Sequence, residues 1–282
     1  MDKELELLIL NAGDLPTIPV VATKVMELVE NENVTADEIA KVVASDPAVA
    51  ARVLKISNSS FYGCQRQIQT LPHAIMVLGF TTLRSLVIAA SVKQVYRRFG
   101  LIENMLWEHS FGAGLAARIV AARTRAVNQE EAFLGGLFHD IGKTIMNTMD
   151  SKKFQSVMEI CFNDHISFTE AERQVYPFSH GDVGGLVVKK WNFPDMLQYA
   201  VARHHSLAFS DDDDPYLVRL TCVVAMANML CHLAGIGLRE KEDDVPVAES
   251  VAAEQLGLSP EDVEELMDSF MEAYTRDKNF FN

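Results

Sequence analysis

The sequence has few cysteines, and they are not spaced for a disulfide framework or for a thiolate metal site. Four are scattered along the 282 residues, without a Cys-x-x-Cys pair. They are Cys64, Cys161, Cys222 and Cys231. This usage is typical of a cytoplasmic protein, in which such cysteines are mostly small buried apolar residues.

Positive charge and long hydrophobic stretches are also scarce. The chain has 25 Lys and Arg against 39 Asp and Glu, for a net charge of −14. Such a surface repels phosphates, so we expect no binding to nucleic acid. No apolar run approaches the roughly 18–20 uncharged residues that span a bilayer, and the N-terminus is charged. We therefore expect no membrane helix, no secretion signal and a cytoplasmic location.

The negative charge is concentrated near the C-terminus. Residues 239–282 contain 13 Asp and Glu against 4 Lys and Arg, a local balance of −9. A solvated helical face that aids solubility is the favoured interpretation, and a docking surface is the alternative.

Strand signals are missing, whereas helix signals recur along the whole chain. Thr35 with Glu38 predicts a capping box, as does Thr169 with Glu172, and Asp46-Pro47 predicts a helix start. The sequence therefore predicts an all-α fold. The predicted helices are 17–31, 36–44, 47–56, 71–78, 81–97, 103–123, 129–140, 151–163, 180–190, 194–205, 215–234, 247–256 and 260–275.

His139 and Asp140 follow an apolar run, residues 133–138, and precede Gly142 and Lys143. A buried His–Asp pair is costly unless both side chains are satisfied, which a divalent metal would do. Imidazole and carboxylate ligands suit zinc, iron, nickel or manganese. We expect Gly142 to let the helix loosen so that both side chains face one ion. The further candidate ligands are His109, His180, His204 and His205, although any lone histidine is more often a satisfied core or surface residue.

A second unusual segment is Ser57-Asn58-Ser59-Ser60-Phe61-Tyr62-Gly63. Capping and core packing is the favoured interpretation. The alternative is a partner-binding surface formed by Asn58, Phe61 and Tyr62.

Taken together, the order of short motifs in this chain resembles the HDOD family, bacterial signalling relatives of the HD phosphohydrolases. The motifs are Leu-Pro-Thr-Ile-Pro at 15–19, Ala-Ser-Asp-Pro at 44–47, the 57–63 segment, Val-Leu-Gly-Phe at 77–80, Trp-Glu-His-Ser at 107–110, residues 132–143, 180–184 and 204–205. The resemblance implies an N-terminal helical lobe (1–99) and an HD-like helical core (100–238), with an acidic helical extension (239–282) outside the match. It also implies a regulatory or scaffold role with other signalling proteins as partners, and it leaves a homodimer open.

The resemblance also implies a site for one or two divalent ions, with Lys143 beside it. The implied ligands are His109, His139, Asp140, His180, His204 and His205. Asn228 stands where the family has a late aspartate, and an amide oxygen binds a cation more weakly than a carboxylate. The Gly-Tyr-Pro loop of the cyclic-di-GMP hydrolases is missing, because Ser-Leu-Ala-Phe follows His205.

Two function classes stay open at this point. The favoured one is a signalling module that binds metal without efficient catalysis. The alternative is a metal-dependent phosphohydrolase acting on a nucleotide or cyclic dinucleotide. In that case Lys143 would offer positive charge to the phosphoryl oxygens, with Arg203 as a further candidate.

Overall fold

The structure, a computed structural model, describes residues 18–29, 31, 33–59, 62, 67–93, 95–96, 100–237 and 245–281. Within these ranges the chain forms helices and no strand, which confirms the predicted all-α fold class. The helices are α1 (Val20–Val29), α2 (Ala36–Ala44), α3 (Pro47–Ser57), α4 (Leu71–Val92), α5 (Leu101–Thr124), α6 (Gln129–Phe138), α7 (Ile141–Met149), α8 (Ser151–Asp164), α9 (Phe168–Val175), α10 (His180–Lys190), α11 (Asp195–Arg203), α12 (Pro215–Ala234), α13 (Val251–Leu256) and α14 (Pro260–Phe281).

The chain divides into two compact units. The smaller unit contains Thr17–Arg98 and Met267–Asn282, and the larger unit contains Phe99–Leu266. The division expected from sequence, into 1–99, 100–238 and 239–282, stays a prediction, since residues 99, 238 and 239 lie outside the described ranges.

In the smaller unit, helix α4 packs against α1, α2 and α3. The caps expected from sequence are present: Thr35 and Glu38 form the capping box of α2, and Asp46 accepts the first amides of α3. Gly79 interrupts α4 with φ 82° and ψ 165°, at the predicted division. Local signals therefore determine most helix ends in this unit.

The Asn58 side chain closes the loop after α3. Its amide nitrogen donates to the carbonyl oxygens of Leu54 (2.8 Å) and Ile68 (2.7 Å). Its oxygen accepts the Ile68 N–H at 2.7 Å. Both amide hydrogens thus bond to the protein's own backbone, as the capping interpretation requires. Tyr62 is half-buried, Phe61 lies outside the described residues, and the partner-binding surface stays a prediction.

The larger unit is built on α5, which packs closely on α6 and on α12. Helix α10 packs on α7 and α11. Several helix bounds differ from the sequence prediction, and two of these differences matter for the site. The predicted helix 129–140 ends at Phe138, and a separate helix, α7, follows Asp140. Helix α9 begins with a capping box of Ser167 and Glu170, so the predicted pairing of Thr169 with Glu172 was wrong.

Within the part of the chain that the structure describes, two helices, α4 and α12, are long and apolar enough to cross a membrane by length and composition, which differs from the sequence expectation. In their most apolar windows, 56% of the α4 residues and 67% of the α12 residues are buried within the fold. Buried core helices meet the same criterion, and Gly79 breaks the regular geometry of α4.

Candidate metal centre

Five of the predicted ligands lie buried together in the larger unit. His109 comes from α5, His139 and Asp140 form the turn between α6 and α7, His180 begins α10, and His204 follows α11. His205 is exposed, with its ring centroid 4.1 Å from that of His204. We refer to these six residues as the His–Asp cluster.

Glycines let the helices that carry these residues approach one another closely. A Cβ added to Gly136 on α6 would lie 2.4 Å from the Ala113 carbonyl oxygen on α5. A Cβ added to Gly142 on α7 would lie 1.9 Å from the His180 carbonyl oxygen. The expected role of Gly142 in loosening the helix was therefore wrong. Asp140 itself, at φ −102° and ψ 10°, ends the helical run, and Gly142 allows α7 to contact α10.

The two oxygens of the Asp140 carboxylate face different histidines. Oδ2 lies 3.6 Å from His109 Nε2 and 3.5 Å from His139 Nε2. Oδ1 lies 3.1 Å from His180 Nε2 and 3.8 Å from His204 Nε2. The cluster thus contains two potential metal sites that share Asp140. The His109 set is His109, His139 and Asp140, and the His180 set is Asp140, His180, His204 and His205.

Hydrogen bonds at the far ring nitrogens orient the histidines. Nδ1 lies 3.0 Å from the Ile236 carbonyl oxygen in His109, 2.7 Å from that of Gly136 in His139, and 2.8 Å from that of Val201 in His204. A carbonyl oxygen only accepts, so Nδ1 carries the proton in each ring. In each neutral ring Nε2 then carries a lone pair that is directed into the cluster, as it is in a metal-binding histidine.

The contacts among these atoms fit a cation in the cluster. His109 Nε2 lies 2.9 Å from Asn228 Oδ1, and His180 Nε2 lies 3.3 Å from His204 Nε2. His139 Nε2 accepts no hydrogen bond, and neither does Asp140 Oδ1, despite its distance of 3.1 Å from His180. Acceptors so close together repel unless a proton or metal ion lies between them. The nitrogen and oxygen donors fit a divalent metal.

Burial and neighbouring charge shift the titration of the cluster. Burial lowers the pKa of His109 to about 3, against the opposing effect of Asp140. Burial alone would raise the pKa of Asp140, but His139 and Lys143 hold it well below its usual range. Burial and Lys143 lower the pKa of His180, yet Glu172 and Asp140 outweigh them and raise it. The cluster therefore favours an ionised Asp140 beside a neutral ring at His109.

Lys143 and Arg203 make bonds within the protein. Lys143 Nζ donates to Asp140 Oδ2 at 2.7 Å and lies 4.6 Å from the centre of the Phe168 ring. Arg203 donates to Tyr199 Oη (2.9 Å) and to the Ala208 carbonyl oxygen (2.7 Å), which holds the segment after α11. Both cations are thus engaged internally.

Sequence reasoning missed two residues of this site. Glu172 is fully buried, and its carboxylate accepts the His180 backbone N–H and lies 2.8 Å from His180 Nδ1. The predicted capping box of Thr169 with Glu172 had assigned this side chain a role at the helix start instead. His232 lies edge-on to His109, with 5.2 Å between ring centroids. It follows Asn228 by four residues on α12, and this helical spacing was the signal that could have revealed it.

Comparison with known proteins gives matches in sequence and in fold. Residues 15–207 match the HDOD domain family. An HDOD domain protein of unknown function from Geobacter sulfurreducens has 23% identity and a TM-score of 0.81, with 99% of this chain and 98% of that chain covered. A protein from Shewanella amazonensis SB2B, described as a candidate metal-dependent phosphohydrolase, has 21% identity and a TM-score of 0.69, with 99% and 97% covered. At these identities the two structures show the fold alone.

An uncharacterized protein of Treponema pallidum (strain Nichols) is 21% identical over 217 residues. The match covers 77% of this chain but only 42% of that relative. The chain therefore spans less than half the length of the curated relative that it matches.

Proposed function

The chain belongs to the HDOD domain family, and from this premise we propose that it is a regulatory or scaffold module of bacterial signal transduction. In this proposal the His–Asp cluster binds one or two divalent ions, of iron, zinc, nickel or manganese, without efficient catalysis. Other signalling proteins are its partners, and its location is the cytoplasm.

The metal-binding part of the proposal is supported by the ligands and by where they come from. The proposed ligands are His109, His139, Asp140, His180, His204 and His205, with Asn228 as a weak addition. They are contributed by points far apart in the chain, between α5 and α12. An ion bound there would polarise an oxygen ligand as a Lewis acid and would contribute folding free energy. The protein's own part is to fix the rings and exclude water.

The observation that carries the non-catalytic part is the 2.7 Å bond from Lys143 Nζ to Asp140 Oδ2. A phosphohydrolase would direct that ammonium at phosphoryl oxygens, which need several fixed cationic donors. Arg203 is bonded to Tyr199 and Ala208 instead. Asn228 also adds no negative charge to help hold a second ion.

The second candidate function is a metal-dependent phosphohydrolase acting on a nucleotide or cyclic dinucleotide. The specific observation in its favour is that Asp140 faces histidines with both oxygens, as a carboxylate that bridges two ions does. The name given to the Shewanella amazonensis protein agrees with this candidate.

Metal analysis tests the first part of the proposal. Protein purified from medium supplemented with iron, zinc, nickel and manganese is expected to contain one or two ions per chain by elemental analysis. Asp140→Asn should contain clearly less, because the shared carboxylate is lost. A wild-type protein without metal would contradict the proposal.

Hydrolysis of bis(p-nitrophenyl) phosphate separates the two candidate functions. With each of the four metals added, the wild-type protein should turn over no faster than Asp140→Ala. Turnover that disappears in Asp140→Ala would establish the phosphohydrolase instead.

The scaffold role predicts a signalling protein that is recovered by pull-down with the wild type and lost with Tyr62→Ala. Circular dichroism checks that the Tyr62→Ala variant is folded.

A further inference from the structure

The two metal-ligand sets of the His–Asp cluster differ in donors and in charge. The His180 set offers three imidazoles and Asp140 Oδ1. The His109 set offers two imidazoles and Asp140 Oδ2, with the neutral Asn228 amide beside His109. A third imidazole and a free carboxylate oxygen make the His180 set the better ligand for one ion.

Lys143 increases this difference. Its ammonium already lies 2.7 Å from Oδ2, on the side of Asp140 that faces His109 and His139. An ion in the His109 set would have to share this oxygen with a fixed positive charge. Oδ1, on the opposite side, accepts no hydrogen bond and is available to a metal.

Glu172 favours a cation in the His180 set, whereas Lys143 disfavours one in the His109 set. Its carboxylate is fully buried and takes both the His180 backbone N–H (3.1 and 3.2 Å) and the His180 ring at Nδ1 (2.8 Å). These bonds fix the position and the ring orientation of His180 and aim Nε2 at Asp140 and His204. They also place a second buried negative charge behind the ligand, which favours a cation in front of it.

We propose that the first divalent ion binds in the His180 set, with Glu172 as the positioning residue, and that the His109 set stays closed to a second ion as long as Lys143 holds Asp140 Oδ2. This proposal rests on the metal binding proposed above and states which half of the cluster is used. The cluster then binds one divalent ion, and the Lys143 ammonium supplies the positive charge that a second ion would otherwise supply.

The test is calorimetric titration of the metal-free full chain with Zn²⁺ alone. The wild type should bind one ion tightly. His204→Ala should lose this binding, whereas His109→Ala should keep it at near wild-type affinity. Equal losses in both variants, or two ions bound with equal affinity by the wild type, would overturn the proposal. Circular dichroism and size exclusion establish that each variant is folded.

Glu172→Gln keeps the shape of the side chain and removes its charge. Its affinity for Zn²⁺ should fall about 10–100-fold. Glu170→Gln is the matched control, because Glu170 is on the same helix but caps it at the surface. An unchanged affinity in Glu172→Gln would contradict the positioning role.

Lys143→Met removes the ammonium without removing a metal ligand. The result expected from this variant is therefore a gain of metal binding, not a loss. The number of bound ions should rise from one to two, whereas Lys153→Met, at an exposed position, should still bind one. A Lys143→Met protein that still binds one ion would refute the blocking role. A wild type that binds no Zn²⁺ would refute both the metal binding and the order of binding proposed here. Zn²⁺ binding that depends on His109 alone would refute only the order of binding.

Discussion

The two compact units bury polar groups in different ways. Among the described residues of the smaller unit, the buried polar side chains are four serines, Ser57, Ser59, Ser85 and Ser91, and one carboxylate, Asp277, which lies 3.5 Å from Arg276. The larger unit instead buries imidazoles, carboxylates and an ammonium: His109, Glu130, His139, Asp140, Lys143, Glu172, His180 and His204. Apolar packing and local caps therefore predominate in the smaller unit, whose described residues include one buried carboxylate. The larger unit depends on the mutual compensation of buried charges, which is sensitive to a bound cation.

The largest difference between the units is expected from glycine substitutions. Gly142→Ala should destabilise the larger unit by about 3 kcal/mol, because its Cβ would meet the backbone of His180. Gly79→Ala in the smaller unit should cost less, about 2 kcal/mol, since φ 82° with ψ 165° is strained for any side chain but nothing lies within 4 Å. Urea unfolding measures both. Fluorescence reports the larger unit, because Trp107 and Trp191 both lie in it. Equal losses would show that close helix contact does not limit the larger unit.

Metal binding should stabilise the larger unit selectively. A divalent ion at 100 times its Kd should add about 2.7 kcal/mol to the free energy of unfolding. The melting transition seen by tryptophan fluorescence should therefore move to higher temperature on adding Zn²⁺. Asp140→Asn is the control and should show little shift. A shift of the same size in that variant would mean that the ion binds elsewhere.

Asn58→Ala should affect the smaller unit and leave the metal site alone. The loss of three hydrogen bonds leaves the Ile68 backbone without its partner, at a cost of about 1–2 kcal/mol. Far-UV circular dichroism in urea measures the loss, and the metal content should stay at the wild-type level. Asn31→Ala, which removes one exposed bond to Asn33, should have little effect. Reduced metal content in Asn58→Ala would contradict the separation of roles.

The smallest effect is expected at the start of α2. Thr35→Ala removes the capping box with Glu38 and should cost about 1 kcal/mol. Thr35→Ser keeps the hydroxyl and should stay close to the wild type in the same urea experiment. If the two variants unfold alike, the cap contributes nothing measurable to the smaller unit.

Sequence reasoning was most successful where a helix end depends on its own residues. The cap at Thr35, the start at Asp46-Pro47 and the break at Gly79 all lie where the sequence predicted them. These signals act over three or four residues, so no knowledge of the fold was needed. The helix was expected to loosen near Gly142, but the break comes earlier, after Phe138, where no glycine or proline marks it.

The candidate site was predictable in its residues but not in its connections. Family resemblance selected the histidines and Asp140, and the structure brings them together. The bond from Lys143 to Asp140 and the bond from Glu172 to His180 depend on how α7, α9 and α10 meet in space. The close approach at Gly142 depends on the same packing. Spacing along a chain does not encode such contacts, which is why Glu172 was taken for a cap.

Two of the imidazoles in the cluster are aimed by their own helices. His139 is bonded to the carbonyl oxygen of Gly136, and His204 to that of Val201, three residues earlier in each case. A single turn at a helix end therefore sets the direction of each ring before any distant part of the chain arrives. His109 and His180 instead need Ile236 and Glu172, which come from other segments. During folding, two of the five imidazoles can therefore take their direction from local contacts, whereas His109 and His180 take theirs only after distant segments have packed.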